Sequence, residues 1–175
     1  MKTTLFTTLT LASSIILTSC GEKKVLPSLN LDLSGENKVI NSQTLVKDEQ
    51  NNSNMFCRID SISKYGFGWE GVLAPEFQNK RIKAVITGKL RASESTKGAI
   101  VMGISNNGEN KFYGSFPVEN YVTEMNKWTP FKDSLYIEPE VTVNGPSHFS
   151  SFIFKPEGKG FVDMDDYSIK LEVIQ

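Results

Sequence analysis

Residues 65–71, Tyr-Gly-Phe-Gly-Trp-Glu-Gly, place three aromatic rings between glycines. Rings displayed this way could stack on the apolar faces of sugars, since they combine a large apolar area with a polar handle. Tyr65, Phe67 and Trp69 are therefore candidate ligand contacts, with Tyr113 and Tyr121 as further ones. The alternative is that Phe67 and Trp69 plug one end of a core. Arg91, Lys89 and Lys83 share the parity of one strand face. Arg91 could hydrogen-bond sugar hydroxyls beside a ring, or the three could form a solvated face.

Catalytic chemistry finds less support. Glycoside hydrolysis needs two carboxylates about 5–10 Å apart, and no spacing pairs Glu70, Glu76 or the C-terminal aspartates. No nucleophile elbow, P-loop or histidine–cysteine metal pattern is present. His148 is the only histidine and lies far in sequence from Cys57, so no base is placed to activate that thiol. Cys57 sits in the apolar context Met-Phe-Cys-Arg-Ile and reads as a buried thiol. The reading is a non-catalytic domain, not an enzyme.

The elements that would position these residues are strands. Arg81–Ala92 alternates, with Ile82, Ala84, Ile86 and Leu90 on one face and Lys83, Lys89 and Arg91 on the other. Ala99–Ser105 and Lys111–Val118 flank Asn106-Asn107-Gly108 and form a hairpin. Trp128–Phe131 and Ser134–Ile137 read as short strands broken at Pro130. Ser147–Lys155 and Tyr167–Ile174 complete the set. No long window has a helical period. Strands at regular spacing, separated by Gly, Pro and Asn, indicate an all-β sandwich or jelly roll.

The N-terminal part differs. Lys2 precedes an uncharged stretch, Thr3 to Ser19, with Leu5, Phe6, Leu9, Leu11 and Ile15–Leu17. That is a cationic n-region and an apolar h-region, too short and too rich in Thr and Ser to span a bilayer. Residues 21–54 are rich in Asn, Ser, Lys and Glu without an aromatic, and are expected to be mostly disordered, with a short strand conceivable near Asn37–Leu45. The expected organisation is a signal peptide over 1–19, a flexible tether over 20–54 and a β-sandwich over 55–175. Without residues 1–19 the chain has 18 basic and 20 acidic residues. That near-balance, with both signs interspersed, argues against a nucleic-acid partner.

Two resemblances extend this reading. Leu17-Thr18-Ser19-Cys20 resembles the lipobox of bacterial lipoproteins. It implies cleavage before Cys20, acylation (palmitate or similar) of its thiol, and a membrane anchor in the cell envelope. The outer membrane of a Gram-negative bacterium is the expected site. Several acyl chains would be needed, because one alone binds only marginally.

The order RIKAVITGKLRAS, AIVMGISNNG, KFYGSF, Trp128-Thr129-Pro130-Phe131 and the closing Phe161–Ile169 resembles galactose-binding-like jelly rolls and related carbohydrate-binding modules. The resemblance spans about 120 residues, a normal domain length. It implies a carbohydrate ligand and assigns Trp128 to the core. It also implies one structural calcium near the closing aspartates, with Asp165, Asp166 and Asp163 as ligands and Asp60 completing the site. Alternatively these are exposed loop carboxylates. Three functions remain open: a carbohydrate-binding lipoprotein, a structural lipoprotein docking on another envelope protein, and a small hydrolase.

Overall fold

The computed structural model describes residues 28–32, 39–49, 54–94, 97–143, 145–156 and 158–174. The signal segment and Cys20 lie outside the described residues. Two antiparallel sheets form a β-sandwich, and no α-helix occurs among the described residues. The strands are β1 Ser28–Asp32, β2 Val39–Ile40, β3 Leu45–Lys47, β4 Met55–Ile59, β5 Tyr65–Val72 and β6 Arg81–Ala92. They continue with β7 Ala99–Asn106, β8 Glu109–Pro117, β9 Thr129–Ile137, β10 Ser147–Phe154 and β11 Val162–Ile174. The six-stranded sheet runs β3-β4-β11-β6-β9, with β1 also on β11; the five-stranded sheet runs β2-β5-β10-β7-β8.

Alternation dictates the packing. On β6, Ile82, Ala84, Ile86, Leu90 and Ala92 are buried inward, which leaves Lys83, Val85, Thr87, Lys89 and Arg91 on the outer face. β11 meets β6 in register from Val162↔Ala92 to Ile174↔Arg81. Its inward residues are Val162, Met164, Tyr167, Ile169, Leu171 and Val173. One gap of three interrupts that period of two. A bulge there sets Asp166 and Tyr167 opposite Gly88. Asp166 takes φ 50°, a left-handed conformation that Asp tolerates. The five-stranded sheet supplies Phe67, Ile100, Met102, Ile104, Phe116, Phe149 and Ile153 to the same core. Asn107 and Gly108, at φ 50° and 79°, close the β7–β8 hairpin as a two-residue turn.

The structure differs from the sequence expectation at Trp128, which the resemblance assigns to the core but which is half-buried beneath the Arg91 guanidinium on the outer face, and in three strand assignments. The sheets begin before residue 55, because β1, β2 and β3 fall inside the segment expected to be tether. Thr44 is buried and Leu45 packs on the core, contacts that composition alone did not reveal. The Thr44 hydroxyl donates to Asn41 O and accepts from Phe67 N–H and the Cys57 thiol, fixing this segment to β4 and β5. Next, β9 runs unbroken through Pro130. It is an edge strand, so the missing N–H breaks no ladder. Lastly, β11 starts at Val162, so Asp163 and Asp165 are strand residues and not loop residues.

Asp163 is fully buried on the outer face of the six-stranded sheet, paired in register with Arg58 of β4 and Arg91 of β6. Arg58 donates Nε to Oδ1 at 2.7 Å and Nη2 to Oδ2 at 2.9 Å; Arg91 donates Nε and Nη2 to Oδ2 at 2.9 and 2.6 Å. The guanidiniums lie over rings, Arg58 on Phe161 at 4.0 Å and Arg91 on Trp128 at 4.5 Å. The buried partner is the carboxylate, so the penalty falls on whichever change orphans it. Replacing Arg58 and Arg91 together by Ala is expected to destabilise the protein by about 3–5 kcal/mol. Each single replacement leaves Asp163 one cation and loses less than half of that. Urea denaturation of the three variants measures this non-additivity.

Cys57 is buried and free. Burial pushes its thiol from 9.0 up to about 11. The native thiol keeps its proton while an unfolded one sheds it from pH 9 upward. Stability is therefore full below pH 9 and falls as pH rises to about 11. Native protein should resist thiol alkylation at pH 8 and react promptly in urea, as mass spectrometry would read.

Candidate functional site

The outer face of the five-stranded sheet carries the most exposed rings. Tyr65 and Tyr113 are 55% and 62% exposed. Tyr65 stacks on Phe154 with centroids 4.9 Å apart and tilts against Phe152 at 6.0 Å. On β10, Phe149, Ser151 and Ile153 are buried inward, and this sends Ser150, Phe152 and Phe154 outward. On β7 the register pairs Phe152 with Val101 and Ser150 with Gly103. On β8 it pairs Gly103 with Tyr113. A row of outward residues thus runs Glu70, Ser150, Gly103, Tyr113 from β5 to β8 across three strand spacings, about 14 Å, with the Tyr65–Phe154 pair four residues further along β10.

Gly103 opens a depression in this row. A hollow of about 230 Å³ lies there, lined by Val101, Gly103, Ser105, Asn110, Tyr113, Ser150 and Phe152 among others. Tyr113 and Phe152 form its apolar walls, while Ser105, Asn110 and Ser150 supply hydroxyl and amide groups. A Cβ on Gly103 would meet only Ser150 Oγ at 3.4 Å and Phe112 O at 3.8 Å. The glycine is thus not forced by packing; the space above it is open to solvent. An apolar wall with a few polar groups is how small-molecule sites are built.

The structure separates the ligand residues expected from sequence. Tyr65 and Tyr113 share this face. Phe67 is in the core, and Trp69 packs against the core with its ring 5.5 Å from Phe149. The glycines of this segment make room and do not display rings. A Cβ at Gly66 would meet Cys57 Sγ at 2.7 Å, and one at Gly71 would meet the Trp69 ring at 2.7 Å. Tyr121 packs on Phe131 and donates its hydroxyl to Asp133 Oδ2 at 2.5 Å. Burial, then the Asp133 carboxylate, raises its pKa well above the ordinary tyrosine value. Arg91 belongs to the Asp163 cluster on the other sheet.

Sequence reasoning missed Gly103, Ser105, Asn110, Ser150 and Phe152. Parity along Ser147–Phe154 was the available signal. Phe149 and Phe152 are three apart, so one faces in and the other out.

The four carboxylates do not suit calcium, which takes six to eight oxygen ligands. Asp163 is neutralised by two guanidiniums. Asp165 accepts from Asn54 Nδ2 and from the Asp166 N–H. Asp166 pairs with Lys89 at 2.6 Å. Asp60 accepts from the N–H groups of Ile62 and Ser63, which hold its carboxyl below the usual range, the Ser63 bond first. Among the described residues no three His, Cys, Asp or Glu side chains gather as a metal site.

A second cleft, of about 270 Å³, adjoins the arginines and is lined by Val46, Lys47, Asp48, Glu49, Phe56, Arg58, Arg91 and Trp128. With Asp163 its charges cancel, three cations against three carboxylates. Both arginine forks are already engaged, which makes the cluster a clamp between strands.

No protein-family model matches the chain, and neither does any curated protein sequence. Solved structures do match. The VP2 subviral particle of infectious bursal disease virus aligns over 96% of this chain and 37% of its own, with 7% identity and a TM-score of 0.51. The chain thus spans little more than a third of that protein's length. The C-terminal CBM6 of LamC, a laminarinase from Zobellia galactanivorans, aligns over 83% of this chain and 99% of its own, at 9% identity and a TM-score of 0.42. A CBM4 structure aligns over 74% and 93%, at 14% identity and a TM-score of 0.39. These likenesses concern fold alone, and the fold is an all-β jelly-roll sandwich.

Proposed function

We propose that this protein is an envelope-anchored lipoprotein whose sandwich binds carbohydrate, without catalysis, on the outer face of the five-stranded sheet. The observation that carries the reading is the solvent-facing Tyr113 beside the open floor of Gly103, with Ser150, Ser105 and Asn110 within the same hollow. A sugar ring could lie on Tyr113 while its hydroxyls bond the serines and the amide. Tyr65, stacked on Phe154, gives a second platform at the far side of the sheet. Two platforms on an open face suit an extended chain of sugar rings better than one enclosed ring. The Cys20 anchor rests on the lipobox resemblance and on the apolar stretch before it.

Affinity electrophoresis of the protein through gels containing neutral and acidic polysaccharides tests the reading. Retention on at least one glycan is expected. Tyr113→Ala should weaken binding about tenfold or more, equivalent to about 1.4 kcal/mol, with unchanged stability because the ring is exposed. Gly103→Val should fill the hollow and abolish retention without disturbing the core, since open space surrounds the added carbons. Absence of retention on every glycan, with a protein partner recovered by crosslinking, would replace this reading with a docking role.

A further inference from the structure

The two outer faces of the sandwich differ in charge. The five-stranded face carries the rings of Tyr65, Tyr113 and Phe152, with the carboxylate of Glu70 across from Ser150. The six-stranded face carries a shallow groove of about 420 Å³ lined by Lys83, Lys132, Lys170, Asp133, Glu172 and two neighbours. Lys170 pairs with Glu172 at 2.5 Å. That bond, with the charges of Lys170, Lys83 and Lys132, keeps the Glu172 carboxyl below its usual range. Asp133 is occupied by the Tyr121 hydroxyl and by the Ser134 N–H. Lys83 and Lys132 have no ion pair among the described residues. Three cations against two engaged carboxylates leave the groove positive.

The N-terminal strand places this groove relative to the anchor. Ser28 pairs with Glu172, and Glu172 pairs with Lys83, so the chain enters the fold at the rim of the groove. Seven residues, 21–27, separate Ser28 from Cys20. Eight Cα steps reach at most about 29 Å even when fully extended. An acylated Cys20 would therefore confine the groove to the neighbourhood of the headgroups. This matters because the attraction is short-ranged, with a screening length of about 8 Å at physiological ionic strength. A patch with one net charge is too weak to recruit a free protein, but it can orient one already held at high local concentration.

We infer that the outer face of the six-stranded sheet is the membrane-facing side of the domain, with Lys83, Lys132 and Lys170 meeting the phosphates of anionic lipid headgroups. The inference rests on the lipid-anchor reading above. It turns the Tyr113 face outward, toward whatever polysaccharide surrounds the membrane.

The test uses the mature lipidated protein on vesicles of phosphatidylcholine, alone or mixed with phosphatidylglycerol. Lysines are labelled with an amine-reactive reagent and read one by one by mass spectrometry. On the anionic vesicles, labelling of Lys83, Lys132 and Lys170 is expected to fall about threefold or more, given roughly a factor of five per lysine near such a surface. High salt should restore it. Lys111, in the hairpin of the opposite sheet, should label equally on both. Equal labelling of the three lysines while the protein still floats with the vesicles would overturn the orientation and leave the anchor standing. Failure to float with either vesicle would overturn the anchor reading and this inference together. Protection by inorganic phosphate alone, on neutral vesicles, would overturn the lipid as the source of the anion.

Discussion

The β6–β11 ladder is the constraint on which the other features depend. It pairs the two longest strands from Val162↔Ala92 to Ile174↔Arg81. A slip of one residue would send Ile82, Ile86 and Leu90 to solvent and Lys83, Lys89 and Arg91 into the core. Burial of each large apolar side chain contributes about 1.5–3 kcal/mol, so the register is strongly fixed. The bulge at Asp166 is part of that constraint. Without it, Met164 and Ile169 would point to opposite faces, and no single register could bury both. The same ladder sets Asp163 across from Arg91 and Lys170 across from Val85, while the β4–β11 ladder brings Arg58 to the other side of Asp163. The two charged features of this face follow from this pairing together with the β4–β11 and β6–β9 ladders that flank it.

The sequence carried the strands well wherever the alternation was uninterrupted. The pattern of Arg81–Ala92 and the Asn-Gly turn were sufficient to assign β6 and the β7–β8 hairpin. It misled where one residue type has two uses. Pro130 reads as a strand breaker, yet on an edge its missing N–H faces no partner strand. Residues 39–49 look like tether by composition, and it takes the buried Thr44 hydroxyl, with three hydrogen-bond partners, to explain their order. The Asp-rich ending looked like a loop because bulges are rare in a two-residue pattern. Its apolar positions, 162, 164, 167, 169, 171 and 173, nevertheless held the bulge as a single spacing of three.

The candidate site was half legible for the same reason. Tyr65 could be nominated from its glycine-flanked segment and Tyr113 as a further ring, but Tyr65 shares the parity of Phe67 and Trp69 and reaches the opposite face only through a bulge of β5 against Phe152–Phe154. Phe67 and Trp69, next to Tyr65 in sequence, go inward. Phe152, 87 residues further along the chain, comes to its side instead. The hollow exists because Gly103 lacks a side chain between Tyr113 and Ser150. An absence of that kind carries no sequence signature until the neighbouring strands are known.

Parity also decides what the buried groups can do. Cys57 faces the core from the six-stranded sheet, where its thiol donates to Thr44 and accepts from the Phe67 N–H. His148 pairs with Ser105 and Val72 and is exposed on the outer face of the other sheet. A full layer of packed side chains lies between them, so this histidine cannot act as base for this thiol. Asp163 is similarly committed, since two guanidiniums fill its hydrogen-bonding capacity on a face remote from Tyr113. Cys57 and Asp163 are thus used as structure. What remains open to solvent on the five-stranded face is a mixed surface: the rings of Tyr65 and Tyr113, the hydroxyls and amide of the hollow, the His148 imidazole, and Glu70 across from Ser150.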